Sequence, residues 1–267
     1  MEIYLIFGYL GAVLIGLVLG LIGGGGSILT LPILVYLFGI EPVTATAYSL
    51  FIVGLAAVVG TLKNMRQQLV DFKTALIFAP PAFIAVYVTR RYLVPALPDP
   101  LFSLGTWSLS KNVGIMVFFA VIMVLASVSM IRDRREEIDV QSGTGAQYNY
   151  PLITLEGFVV GILTGIVGAG GGFLIIPALV LLAKLPMKKA VATSLLIIAI
   201  KSLIGFMGDL QVIDIDWIFL LVFASLSVIG IFIGVGLNRI VSGKKLKKGF
   251  GWFVLIMGLF IVLKELV

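Results

Sequence analysis

The stretch GLVLGLIGGGGSILTLP, residues 16–32, returns as GILTGIVGAGGGFLIIP at residues 161–177. Laid over each other at a constant offset of 145 residues, the two match at Gly16/Gly161, Gly20/Gly165, Gly23/Gly168, Gly25/Gly170, Gly26/Gly171, Leu29/Leu174 and Pro32/Pro177. The match runs on through Ala45/Ala190, Ala47/Ala192, Ser49/Ser194, Leu50/Leu195, Gly60/Gly205 and Asp71/Asp216. Between 16–72 and 161–217, 17 of 57 positions are identical without a gap. Apolar segments share Leu and Ile through composition alone, whereas matched glycines, prolines, a serine and an aspartate need a common pattern. The chain reads as an internal duplication, and a repeat found first constrains every later step.

The surroundings of the two stretches are apolar. The chain is 60% hydrophobic and only 12% charged, with a mean hydropathy of +1.18. A soluble domain carries roughly twice that share of charge. Long apolar runs between short polar joints indicate a polytopic helical membrane protein. There is no cysteine and no histidine. Disulfides, thiol nucleophiles, thiolate or imidazole metal ligands and the usual proton shuttle are thereby excluded, and no cofactor is expected. The net charge of +6 is not read as a nucleic-acid signal, because the cations fall in the joints between spans. No basic segment precedes the first apolar run, so a cleaved signal peptide is not expected.

Taken in order, residues 3–22 form a span that reaches the cluster Gly23 to Gly26, where a regular helix should stop. Ser27 stands where an N-cap belongs, and a second helix is expected from Ile28 to Phe38. Eleven residues rise only some 16 Å, too little for a crossing. Spans are expected at 44–62, 72–88 and 112–131, and the proline-rich segment 90–111 reads as a loop. Residues 132–150 form a solvated linker. The second half repeats the order, with 152–167, a glycine turn at 168–172, a short helix at 173–183, and spans at 189–207, 217–237 and 249–266. Residues 1–131 and 151–267 are thus two transmembrane repeats joined by 132–150.

Charge orients them. Arg132, Arg134 and Arg135 lie in the linker, and Arg239, Lys244, Lys245, Lys247 and Lys248 lie before the last span. Residues 209–216 hold three aspartates and no cation. Basic joints belong in the cytoplasm, which puts both termini and the 90–111 loop outside. Arg90 and Arg91 count against this assignment. Five segments per half then give the halves opposite orientation. The expected fold is an all-α polytopic membrane protein of two inverted-topology repeats, each with a glycine-broken helix pair and three spanning helices.

Inverted repeats with discontinuous helices are the architecture of secondary transporters, whose half-helix N-termini point at a midplane site. Each glycine cluster leaves backbone N–H groups free, and the helix beginning after it adds the positive end of its dipole. Two such ends facing each other suit an anion. The candidate substrate-binding residues are Gly24, Gly25, Gly26 and Ser27 of the first cluster, and Gly170, Gly171 and Gly172 of the second. Gly16, Gly20, Gly161 and Gly165 have small-residue spacing and are read as helix-packing contacts. Ser49 and Ser194 join the candidates because they occupy equivalent places in the spans that follow. Lys201 is the one cation well inside a predicted span, at a cost of roughly 2.5–3.5 kcal/mol on insertion scales. Its equivalent is Ala56, and it is expected to contact the anion, to snorkel, or to pair with Asp209. Asp71 and Asp216 each open a span as N-caps.

The pattern of Gly168-Ala169-Gly170-Gly171-Gly172 to Pro177, followed by Ala192-Thr193-Ser194-Leu195, resembles the sulfite exporter (TauE/SafE-type) family of prokaryotic membrane proteins. The first half carries the same pattern in degenerate form, and Val70-Asp71-Phe72 and Ile215-Asp216-Trp217 fit it too. The resemblance covers nearly the whole chain, with 90–111 its least typical part. It implies transport of sulfite, thiosulfate or organosulfonates across the cytoplasmic membrane, with proton or ion coupling left open. A small anion and the lipid bilayer are the expected partners, with no metal and no nucleic acid. An anion channel or passive permease using the same site is the alternative. An intramembrane enzyme is disfavoured, since Ser194 and Lys201 are seven residues apart on one helix, too far for direct proton transfer.

Overall fold

The computed structural model describes residues 2–24, 26–104, 107–131, 150–168, 170–181, 183, 185–237 and 243–266. The linker at 132–149, Gly25, Ala169, Lys184 and Arg239 therefore lie outside the described residues.

Helix α1 (Glu2–Ile22) stops at the first glycine cluster, and α2 (Ser27–Phe38) starts beyond it. Gly39 ends α2 in a left-handed turn, in which the Ile40 N–H reaches the Leu34 carbonyl. Then come α3 (Pro42–Met65) and α4 (Phe72–Val88). Asp71 caps α4 by accepting from the Thr74 N–H at 2.8 Å, as its position in the sequence implies. The 90–111 loop expectation fails at its start. The chain passes from α4 through a π-helical turn (Thr89–Leu93) into α5 (Val94–Ala96), giving one apolar stretch from Phe72 to Ala96. The π turn absorbs an extra residue without ending the helix, and Pro95 sits in the first turn of α5, where no N–H is needed.

A two-stranded hairpin interrupts the all-α pattern. Strands β1 (Phe102–Leu104) and β2 (Trp107–Leu109) pair antiparallel with Phe102 opposite Leu109. Helix α6 (Lys111–Ile131) closes the first half. The second half comprises α7 (Tyr150–Val167), α8 (Gly172–Leu181), α9 (Met187–Met207), α10 (Trp217–Leu237) and α11 (Gly243–Leu266). Asp216 caps α10 through the Phe219 N–H at 3.0 Å.

Among the described residues, six helices are long and apolar enough to cross a membrane, and Ser27–Phe38 and Pro151–Val167 are shorter apolar helices. Over their most apolar 18 residues, α3 and α9 are 67% and 72% buried, against 44% in the other four long helices, so these two form the centre. Large apolar side chains such as Leu76, Leu125, Ile218 and Leu263 face outward, as a lipid-facing surface requires.

The halves interlock by equivalent contacts with partners exchanged. A side chain at Gly16 would strike the Ser227 carbonyl of α10, and one at Gly161 would strike the Ala82 carbonyl of α4. Ala82 and Ser227 are themselves separated by 145 residues. The packing reading of these glycines therefore holds. The Asp71 N–H donates to Thr193 Oγ1 at 2.9 Å, and the Asp216 N–H donates to Tyr48 Oη at 2.7 Å. Tyr48 and Thr193 again differ by 145.

Candidate functional site

The two glycine clusters meet at the centre of the molecule. Cβ atoms on Gly24 or Gly172 would overlap the other's backbone, so the turns touch main chain to main chain. Gly23 packs on Val191 of α9, and Gly168 packs on Thr46 of α3, one more contact that repeats at the offset of 145. Gly26 lies against α1, where a Cβ would come 2.6 Å from the Leu19 nitrogen. Gly25 falls outside the described residues.

Ser27 does not cap α2. It is the first helical residue, Gly26 occupies the cap position, and the Ser27 hydroxyl donates backward to the Gly24 carbonyl at 2.6 Å. A serine placed after flexible glycines can bond within the turn itself, which the sequence pattern does not distinguish from capping. The bond holds the first turn in shape.

Ser194 and Ser49 are both fully buried, but they differ in what they touch. Ser194 Oγ lies 2.9 Å from the Gly23 carbonyl and 2.8 Å from that of Val191, and so ties α9 to the first turn. Ser49 Oγ has no hydrogen-bond partner among the described residues. Equivalence in sequence is thus not equivalence in bonding.

At the second turn, Gly170 and Gly171 have φ of 62° and 69°, a left-handed conformation that costs other residues roughly 1–2 kcal/mol. The turn aims the α8 N-terminus inward. Gly170 abuts Val53 and Ser27, and a Cβ on Gly171 would lie 2.9 Å from the Lys201 ammonium. Lys201 is fully buried and donates to Thr164 Oγ1 of α7 at 2.7 Å. Thr164 in turn donates to the Val160 carbonyl at 2.7 Å. The snorkelling and Asp209-pairing expectations for Lys201 both fail. Among the described residues, the one ion pair found joins Asp209 to Arg90, with Nε 2.7 Å from Oδ2.

Arg90 is the residue that sequence reasoning missed. Read as part of a surface loop, it is fully buried. Its Nε–H faces both Asp209 oxygens, at 2.9 and 2.7 Å, while Nη1 donates to Thr46 Oγ1 at 2.8 Å and to the Gly165 carbonyl at 3.3 Å. Burial pushes the Asp209 carboxyl up, against the opposing pull of the guanidinium beside it. The signal that could have found Arg90 was the length of the apolar run from 72 onward, which continues past it.

The second turn therefore lies between two buried cations. Lys201 bonds the Thr164 side chain and Arg90 bonds the adjacent Gly165 carbonyl, both in the last turns of α7. The first turn has no such neighbours in sequence, since Ala56 and Val235 hold the equivalent positions. No group of three or more His, Cys, Asp or Glu side chains gathers among the described residues in a way that would hold a metal.

The family model described as "Sulfite exporter TauE/SafE" matches residues 9–261. The chain is 30% identical over 256 residues to the probable membrane transporter protein YunE of Bacillus subtilis, covering 85% of this chain and 87% of that one. It is 26% identical over 252 residues to a probable membrane transporter protein of Xylella fastidiosa, covering 93% and 91% of the two chains. To the probable membrane transporter protein MJ0441 of Methanocaldococcus jannaschii it is 25% identical over 271 residues, covering 94% of each. No solved structure matches the chain.

Proposed function

The chain belongs to the TauE/SafE sulfite exporter family of membrane transporters, and from that premise we propose that it carries a small sulfur-containing anion across the prokaryotic cytoplasmic membrane. Sulfite, thiosulfate and organosulfonates are the candidate cargoes. The observation that carries this reading is Lys201: an ammonium buried in the most enclosed helix, bonded to one neutral hydroxyl and set against Gly171 at the start of α8. A buried charge of this kind needs an opposite charge, and no carboxylate among the described residues supplies it. An anion would complete the site, with the α8 N–H groups and dipole as further donors.

The half-helix N-termini were expected to face each other with the anion between them. Because Gly24 and Gly172 touch, the anion is better held beside that contact, at the α8 end where Lys201 and Thr164 converge. The exchanged contacts between halves support two repeats of inverted topology, divided at 132–150, that rock about this point.

Radiolabelled sulfite, thiosulfate and an organosulfonate, offered to proteoliposomes with and without a proton gradient, test the proposal. A saturable flux of one class is expected, and its response to the gradient reveals coupling. Flux that never saturates would favour the channel alternative, and no flux above protein-free vesicles would overturn the reading.

A further inference from the structure

The Arg90 junction has three features that packing alone does not require. Its guanidinium is fully buried, yet Nη2 meets no hydrogen-bond acceptor among the described residues. A buried donor on a charged group is costly to leave unmet, so it calls for water, an ion or a ligand as its partner. The residue is presented by a π-helical turn, a distortion found often at functional sites. Third, the fold closes elsewhere without such a pair. At the offset of 145, Arg90 corresponds to Val235, Asp209 to Asn64 and Thr46 to Val191. Asn64 there simply donates to the Gly60 carbonyl of its own helix at 2.8 Å. Two buried charges exchanged for apolar groups often leave stability unchanged or improved, so the ion pair needs a reason beyond stability.

The position of Arg90 supplies one. It holds Thr46, which packs on Gly168 at the beginning of the second turn, while Lys201 lies against Gly171 at its end. Building on the transport reading above, we propose that Arg90 is a second anion-binding residue on the path, with Asp209 as its resting counter-ion. The oxyanion docks on the free Nη2 at one end of the turn and is exchanged with Lys201 at the other. Asp209 keeps the guanidinium neutralised and oriented when the subsite is empty, and it limits how tightly the anion is held, as turnover requires. With Nε and Nη1 already engaged, the two N–H groups of Nη2 remain to meet the oxyanion, and the charge on the guanidinium strengthens those bonds.

Sulfite is the probe, with binding to purified protein measured by calorimetry and transport measured in proteoliposomes. Arg90→Lys keeps the charge and the Asp209 partner but lacks Nη2, and with it the Nη1 bonds to Thr46 and Gly165. Its melting temperature should fall somewhat while the fold is kept, and sulfite binding should weaken by roughly tenfold or more, the scale of one charge-assisted hydrogen bond. Asp209→Asn should bind sulfite more tightly and turn over more slowly. The Arg90→Gln/Asp209→Asn double variant, uncharged at both places, should bind as weakly as Arg90→Lys or worse. Wild-type affinity in Arg90→Lys, or wild-type affinity in the double variant, would reduce the pair to a structural tie and overturn the inference. Absence of sulfite binding in the wild-type protein would instead strike the transport reading on which it rests.

Discussion

Lys201 and Thr164 are joined by one hydrogen bond, and the chemistry of each decides what a substitution does. Lys201→Ala removes the buried charge and should weaken anion binding by roughly tenfold or more. Lys201→Arg should restore part of it, since the charge stays but the donor geometry changes. Removing a buried, uncompensated charge should also leave the melting temperature equal or higher, which separates a binding role from a structural one. Calorimetric sulfite titrations and thermal melts of the three proteins check this. Asp209 is no longer part of the Lys201 argument, because its partner is Arg90. That partnership was illegible in the sequence for a physical reason. The apolar run past residue 88 signals that the helix goes on, but nothing local signals the π turn that folds Arg90 inward to meet Asp209.

At the level of elements, the glycine turns and the caps carry the fold. Gly170→Val places a β-branched side chain at φ 62° and against Val53, so it should lower the melting temperature and abolish transport. Gly39→Ala is the contrasting case, because a Cβ there meets nothing within 4 Å and only the left-handed backbone is strained. A loss on the order of 1 kcal/mol with transport retained is expected. Asp71→Ala and Asp216→Ala should each cost about 1 kcal/mol as lost N-caps. Denaturation followed by circular dichroism measures all four. Most element boundaries were readable, since apolar runs bounded by Gly, Asp and basic joints mark helices strongly; α10 begins and ends where the hydropathy does. Ser27 was misread because cap and back-bonded turn share one residue pattern. The hairpin at 102–109 was missed because three-residue strands leave no periodicity to detect.

On the scale of the whole molecule, the repeat explains both the symmetric frame and the asymmetric charge. The frame is held by exchanged contacts such as Asp71 with Thr193 and Asp216 with Tyr48. Among the described residues, the two buried cations lie beside the second turn. Matched glycine and aspartate positions are what the sequence offers for a repeat, whereas the meeting of Gly24 with Gly172 depends on how the halves cross. Topology should follow the basic joints, with both termini outside and the 132–150 and 239–248 segments inside. Single cysteines introduced into this cysteine-free chain, labelled from either side of intact cells, test that directly; labelling of the 132–150 segment from outside would reverse the assignment. Arg90 no longer weighs against it, since a buried, ion-paired arginine is not a loop cation.

The most direct test of the central claim is the initial rate of sulfite entry into proteoliposomes as a function of sulfite concentration, for the wild-type protein and Lys201→Ala side by side. A saturable wild-type rate is expected, with the half-saturating concentration raised roughly tenfold or more in Lys201→Ala. Identical saturation curves for the two proteins would contradict an anion site built on Lys201.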